Sequence, residues 1–287
     1  MRFEIQHITR YEYSRPVFLE PHVVRLRPRA DANQSLEKFS IDVVPSPAGV
    51  SESSDIEDNC TAKLWFEGLH DRLEIAVSSQ VVTHCTNPYN GLLDNGAGRL
   101  PLDFNSDQEG LIRTFLQPTA NNDPLDIRSV STLADEILIE SDAATLTFLS
   151  ILCDRLHKRV EKVCRDENGI QPIHETMRTC KGACRDLAMV FIAVCRHVGI
   201  PARFVSGYQE GDPDEPYWDL HAWAEVFLPG FGWRGFDPTH GLAVADRHVV
   251  AAASAFAENT VPVTGSFRGT GATSKLDHVI KIKTLQS

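Results

Sequence analysis

The stretch KGACRDLAMVFIAVCRHVGIPARFVSGY, residues 181–208, decides the fold. Its apolar residues recur at the spacing of an α-helix, which predicts a buried helix over residues 184–197. Gly199 and Pro201 follow, and these residue types end a helix and prevent its continuation. The next segment, residues 202–209, has the composition of a strand. The sequence therefore predicts a helix that packs against a sheet and begins at a cysteine.

That cysteine, Cys184, occupies a chemically distinctive position. The N-terminus of a helix carries unpaired N–H groups and the positive end of the helix dipole, and both stabilise an anion. Because the thiolate is the nucleophilic form of cysteine, this position favours a nucleophile. The alternative is a small buried apolar residue, the commoner role of a cysteine beside an apolar helix. Cys180, in the preceding loop, is interpreted as a secondary thiol.

A second stretch, DLHAWAEVFLPGFGWRGFDPTHG at residues 219–241, predicts a pair of antiparallel strands. The strands cover residues 220–229 and 232–237, and the Pro- and Gly-containing segment between them is typical of a turn. The register expected for this turn places Leu228 opposite Gly232. A shift of one residue would exchange the two faces of each strand, so the positions of the side chains depend on this register.

In this register, Asp237 lies opposite Trp223 and is a diagonal neighbour of His221. Diagonal neighbours are about 7–8 Å apart at the backbone, which permits contact between their side chains. A histidine can accept the thiol proton and return it to a leaving group, and a carboxylate can fix the orientation of its ring. We therefore predict Cys184, His221 and Asp237 as catalytic residues. Glu225, on the same strand face, is the alternative carboxylate. On composition alone, the competing histidines are His174, His197, His240 and His248.

Composition and charge narrow the classes of partner. The 287 residues are 42% hydrophobic and 23% charged, which is typical of a globular protein with a sizeable core. The formal net charge of −11 repels phosphate backbones and anionic lipids, so neither nucleic acid nor a membrane is an expected partner. The first residues lack the apolar core of a signal peptide, and the seven cysteines are irregularly spaced. These features predict a cytoplasmic protein with reduced thiols.

A zinc site would be another use for cysteines that lie close in sequence, such as Cys184 and Cys195. These two are eleven helical residues apart, roughly 16 Å along the axis at about 1.5 Å per residue. Ligands of one zinc ion lie within a few ångströms of each other, so one helix cannot supply both. We therefore expect neither a metal ion nor another cofactor, and we assign Cys195 to the core.

The order of predicted elements divides the chain into two parts. Several strands without intervening helices predict a β-sandwich-like domain at residues 1–95. Helices followed by strands predict an α+β domain at residues 96–287, with its core at about 145–245. The C-terminal segment, about residues 275–286, is predicted to be a strand, and its domain membership is left open.

The two quoted stretches resemble the core of the bacterial transglutaminase-like superfamily, whose fold is related to that of papain-like cysteine proteases. The opening IQHITRYEYSRPVFLEPHVVRLRPR resembles the β-rich N-terminal region that precedes this core in many bacterial members, and RHVVAAASAF resembles the family's closing strand. The resemblance implies a papain-like/transglutaminase-like core, with Cys184 as nucleophile, His221 as general base and Asp237 as orienting acid. Many relatives have Gln after the nucleophile, where this chain has Arg185.

Bacterial members of this architecture are commonly described as cysteine proteases. The resemblance therefore implies an enzyme that attacks a peptide or amide carbonyl through a Cys184 thioester, with water as the favoured acceptor. An amine acceptor would make it a transglutaminase, and a non-catalytic peptide-binding or scaffold protein is the alternative from another class. The expected partner is a protein or peptide substrate. The predicted substrate contacts are Arg185, Trp223 and Tyr208.

Overall fold

The computed structural model of the protein describes residues 1–119, 123–165, 169–210 and 220–285. Strands dominate both ends of the chain, and helices occupy its middle. The helices are α1 (Ser106–Ile112), α2 (Pro124–Glu140), α3 (Thr145–Arg159), α4 (Ile173–Thr179) and α5 (Cys184–His197). The strands are β1 (Arg2–Leu19), β2 (His22–Val24), β3 (Gln34–Val44), β4 (Gly49–Ser54), β5 (Cys60–Trp65), β6 (His70–Thr83), β7 (Glu161–Lys162), β8 (Lys181–Gly182), β9 (Ala202–Gln209), β10 (His221–Leu228), β11 (Gly232–Asp237), β12 (Leu242–Ala243), β13 (His248–Ser254), β14 (Val263–Thr264), β15 (Phe267–Arg268) and β16 (Ser274–Leu285).

The N-terminal region is a sandwich of two antiparallel sheets. In the first sheet, β1 pairs with β6, and β6 pairs with β3. The second sheet has the order β14-β2-β5-β4. Many side chains along β1 and β6 alternate between buried and less buried positions, as a strand with one covered face requires. The buried side chains of the two sheets, among them Leu19, Leu64 and Ile75, form a common apolar cluster.

The C-terminal strand lies in this N-terminal region. β16 pairs antiparallel with β1, from Arg2 opposite Leu285 to Tyr13 opposite Ser274. β15 also pairs with β1, and β14 pairs with β2. Both ends of the chain therefore build the sandwich, and the domain membership that the sequence left open is resolved for this strand.

The second part of the fold is a five-stranded antiparallel sheet with the order β12-β11-β10-β9-β13. Helix α5 packs on one face of this sheet, and Phe191 stacks on Phe236 with ring centroids 5.6 Å apart. Helices α2, α3 and α4 each contact α5. The predicted α+β fold is confirmed, and so is the strand register, since Leu228 lies opposite Gly232. Within the described ranges, no helix has both the length and the apolar character needed to cross a membrane.

Side chains of the N-terminal region complete the hydrogen bonds of β13, which is the edge strand of this sheet. The Gln34 amide donates to the Val250 carbonyl at 2.9 Å and accepts from the Val250 N–H at 2.8 Å. The Asn59 amide makes the same pair of bonds with Ala253, at 2.9 and 2.8 Å. The two amides thus take the place of a neighbouring strand and protect the edge.

Replacing Asn59 with alanine is expected to lower the free energy of unfolding by about 2–4 kcal/mol. The side chain is fully buried, and its loss leaves the N–H and C=O of Ala253 without these partners. Urea unfolding measures the change. Asn33→Ala, at an exposed position of the same region, is the control and should stay within about 0.5 kcal/mol of the wild type. Equal losses in the two variants would contradict the role of Asn59.

Candidate active site

Cys184 is the first residue of α5 and is half-buried. The turn before it is fixed by Asp186, whose carboxylate accepts the backbone N–H of Ala183 at 2.9 Å. The same carboxylate forms an ion pair with Arg165 at 2.6 Å and accepts the N–H of Gln171 at 2.9 Å. One buried aspartate therefore ties the helix N-terminus to the preceding loop, which holds the thiol in place.

His221 and Asp237 are 16 residues apart in sequence, and the β10–β11 pairing brings them into contact. Nε2 of His221 lies 2.7 Å from Oδ2 of Asp237. The carboxylate is fully buried, and its Oδ1 accepts the backbone N–H of Thr239 at 2.9 Å. The buried charge is thus compensated by hydrogen-bond donors on both oxygens, as a buried carboxylate requires.

The thiol of Cys184 lies next to the ring of His221 and the backbone N–H of Ala222, and both interact with it. Because Nε2 of His221 contacts Asp237, Nδ1 is the ring nitrogen that remains for the thiol. The structure therefore brings together the three side chains that the sequence predicted, in the order thiol, imidazole and carboxylate.

The ionisation of the three groups is strongly linked. Burial raises the pKa of the Cys184 thiol, but the hydrogen bond and positive charge of His221 outweigh it, and the net shift is downward. Burial lowers the pKa of His221, whereas the charge and hydrogen bond of Asp237, and then Cys184, raise it to about 9. Burial also opposes ionisation of Asp237, yet the two neighbouring histidines hold its pKa far below the usual range. The arrangement favours a thiolate–imidazolium pair at neutral pH.

Two further histidines adjoin this pair. Nε2 of His248 lies 3.0 Å from Oδ2 of Asp237. The ring of His240 is half-buried, and its centroid lies 5.3 Å from that of His221. The sequence placed both only among the competing histidines. A signal for His240 was available in its position three residues after Asp237, whereas His248 arrives from another strand.

Two of the three predicted substrate contacts are buried. Tyr208 is only 1% exposed, and its hydroxyl lies 3.1 Å from Nδ1 of His7 in the N-terminal region. Trp223 has no exposed surface and stacks on His221, with ring centroids 6.1 Å apart. These positions correct the prediction that the two side chains contact a substrate. Strand alternation predicts which face a residue occupies, but not which other element covers that face.

Arg185, the third predicted contact, is partly exposed. Its Nε donates to the carbonyl of Gly169 at 2.8 Å, and its Nη2 donates to the carbonyl of Arg165 at 3.2 Å. The guanidinium thus binds the loop that precedes α4. Contact between this side chain and a substrate stays a prediction.

Two groups of side chains among the described residues have ligand atoms close enough to hold a metal ion. The first group comprises His221, Asp237 and His240. Oδ2 of Asp237 already accepts hydrogen bonds from His221 and His248, so an ion would displace them. The second group comprises Asp123, Asp126 and His174. Here Asp126 accepts both the backbone N–H and Nδ1 of His174, each at 2.7 Å, which explains the cluster as a contact between α2 and α4.

A helix that presents a thiol to a histidine and an aspartate of an adjoining antiparallel sheet defines a papain-like class of fold. Residues 3–82 match the bacterial transglutaminase-like N-terminal region, and residues 131–238 match the transglutaminase-like superfamily. The chain belongs to the transglutaminase-like superfamily and carries its bacterial N-terminal region.

Several known proteins and a solved structure are similar to this chain. An uncharacterized protein of Mycobacterium leprae is 24% identical over 99% of both chains. The protein-glutamine gamma-glutamyltransferase of Pseudomonas aeruginosa is 42% identical over 72 residues, which are 23% of this chain and 11% of that protein. The crystal structure of a "Putative Cysteine Protease" from Cytophaga hutchinsonii has a TM-score of 0.73 and 21% identity, and the match covers 100% of this chain and 91% of that one. This last similarity concerns the fold.

Proposed function

We propose that the protein is a cysteine-dependent acyl-transfer enzyme that hydrolyses peptide or amide bonds through a thioester on Cys184. The observation that carries the proposal is the linked contact of the thiol with His221 and of His221 with Asp237, the latter at 2.7 Å. The direction of each pKa shift supports a thiolate and an imidazolium, the two species that acyl transfer to sulfur needs. Membership of the superfamily supports cysteine chemistry.

In the first half of the reaction, the thiolate of Cys184 attacks the carbonyl carbon and forms a C–S bond. The electron pair of the carbonyl moves to its oxygen, where the N–H of Cys184 at the helix N-terminus is placed to stabilise it. The oxyanion then collapses, the C–N bond breaks, and the imidazolium of His221 gives its proton to the leaving amine. The products are the free amine and a thioester.

In the second half, neutral His221 accepts a proton from water as the water oxygen attacks the thioester. The C–S bond breaks, the carboxylic acid leaves, and the thiolate–imidazolium pair is restored. Asp237 keeps the ring of His221 oriented through both halves and stabilises its positive charge. Cys184 thus serves as nucleophile and then as leaving group, His221 as acid and then as base, and Asp237 as the carboxylate that supports the ring.

The second candidate is a protein-glutamine amine transferase, in which an amine rather than water attacks the same thioester. The match with the Pseudomonas aeruginosa glutamyltransferase favours this candidate, and it spans 23% of the chain. Both activities need the same nucleophile and base, so they differ only in which acceptor reaches the thioester.

The test is incubation with a glutamine-containing peptide library, with and without a primary amine, followed by mass spectrometry. Cleaved or deamidated peptides that persist when the amine is added support hydrolysis. Amine adducts that replace these products would instead establish the transferase. Cys184→Ala is the control, and products that form equally well with this variant would overturn both candidates.

Iodoacetamide is expected to modify Cys184 at pH 7 faster than it modifies Cys164, which is an exposed thiol. Only the thiolate reacts, and the lowered pKa of Cys184 keeps a larger thiolate fraction than an ordinary cysteine with a pKa of about 8.5 would have. As the pH rises, labelling of Cys184 should therefore reach its plateau early. Peptide mapping at several pH values measures both rates. Labelling of Cys184 no faster than that of Cys164 would favour a non-catalytic binding protein.

A further inference from the structure

His248, the first residue of β13, contacts the carboxylate of the candidate active site. Its Nε2 lies 3.0 Å from Oδ2 of Asp237, the same oxygen that Nε2 of His221 approaches at 2.7 Å. An ionised carboxylate only accepts hydrogen bonds, so both nitrogens carry a hydrogen in this arrangement. One carboxylate oxygen therefore accepts two imidazole donors from different strands.

The surroundings of the other ring nitrogen, Nδ1, indicate that His248 is a neutral hydrogen-bond donor. Nδ1 is buried and has no hydrogen-bond partner among the described residues. Burial holds the pKa of His248 below its usual value, despite the hydrogen bond and charge of Asp237. Protonation would bury a second N–H without a partner, which is costly. His248 is thus suited to hold the carboxylate and is not suited to exchange protons with a substrate.

The packing around His248 fixes the orientation of its ring. Trp223 lies edge-to-face against His248, with ring centroids 5.1 Å apart, and stacks on His221. Two residues further along β13, the backbone of Val250 is held by both hydrogen bonds of Gln34. The strand that carries His248 is therefore held between β9 and the N-terminal region. The ring cannot turn away without disturbing these contacts.

We infer that His248 is a positioning residue that holds Asp237 in the orientation in which it contacts His221. The inference rests on the proposed function. With Oδ2 held by His248 and Oδ1 held by the N–H of Thr239, the carboxylate is restrained on both oxygens. Loss of the His248 donor removes one of the two imidazole donors on Oδ2, which loosens the carboxylate and weakens its support of the His221 imidazolium. The thiolate of Cys184 then becomes less populated at neutral pH.

The test compares the pH profile of iodoacetamide labelling of Cys184 in two variants. His248→Phe keeps a ring of similar size but removes the hydrogen-bond donor. We expect this variant to raise the midpoint pH of Cys184 labelling and to slow labelling at pH 7 about tenfold. His248→Gln retains an N–H at a similar distance and should restore the rate to within about threefold of the wild type. His22→Phe is the matched control. His22 is also buried, at 5% exposure, but it lies in β2 of the N-terminal region. The midpoint pH of Cys184 labelling should therefore not change in this variant.

If His248→Phe folds and its Cys184 labelling has the same midpoint pH as that of the wild type, the inference is overturned. If His248→Phe does not fold, His248→Asn replaces it, because its shorter side chain does not extend as far as that of His248→Gln. Equal midpoints for the Asn and Gln variants would then overturn the inference. If the proposed function is wrong, iodoacetamide will not label Cys184 selectively even in the wild type. That result would also overturn the inference about His248. Selective wild-type labelling with an unchanged variant midpoint overturns the inference alone.

Discussion

Replacing Cys184 with serine is expected to reduce turnover by at least about 10⁶-fold, the scale observed when a nucleophile is removed. The site is built for a thiolate, because hydrogen bonds from His221 and Ala222 lower the pKa of the thiol. A serine hydroxyl remains protonated under these conditions and needs a neutral base. Burial lowers the pKa of His221, but the charge and hydrogen bond of Asp237 remain in this variant and raise it, which favours the imidazolium, a poor base for this step.

The measurement is turnover of any peptide that the wild type converts, together with the intact mass of the protein after rapid quenching. The wild type should show a mass increase equal to the acyl group, and Cys184→Ser should show none. Cys164→Ser, which removes an exposed thiol, is expected to retain wild-type turnover. An acyl adduct or substantial turnover in Cys184→Ser would contradict the assignment of the nucleophile.

The parts of the site that the sequence predicted depend on local signals. The apolar stripe and the Gly199–Pro201 stop define α5, so the thiol could be placed at a helix N-terminus. The short turn between β10 and β11 fixes the register, so the contact between His221 and Asp237 followed from counting residues. Helix periodicity and tight turns involve neighbouring residues, and for this reason they can be read without knowledge of the rest of the fold.

The parts that the sequence did not predict depend on non-local pairing. His248 reaches Asp237 because β13 lies at the edge of the sheet beyond β9, and neither strand order nor edge contacts are encoded in a local pattern. Tyr208 is buried because the N-terminal region covers it, and strand alternation carries no information about that cover. The same reason applies to β16, whose polar and apolar pattern predicted a strand but did not identify β1 as its partner.

Replacing Asp237 with asparagine is expected to lower turnover about 10⁴-fold, the scale for an amide in place of a triad carboxylate. The charge of Asp237 acts on both partners, and the two effects oppose each other. It raises the pKa of His221 through a direct contact, and it also raises the pKa of Cys184, though as the least of the causes acting on that thiol. The effect on His221 prevails, so the variant loses imidazolium.

The sign of this change can be measured in the pH profile of kcat/KM. The alkaline limb of the wild type reports loss of the His221 proton near its pKa of about 9, and Asp237→Asn should move this limb to lower pH. Asp126→Asn is the matched control, since Asp126 is also a buried carboxylate paired with a histidine, His174 at 2.7 Å, but lies in α2. Its alkaline limb should not move. If the limb of Asp237→Asn also stays in place, the charge of Asp237 does not support the imidazolium, and the carboxylate acts only by orienting the ring.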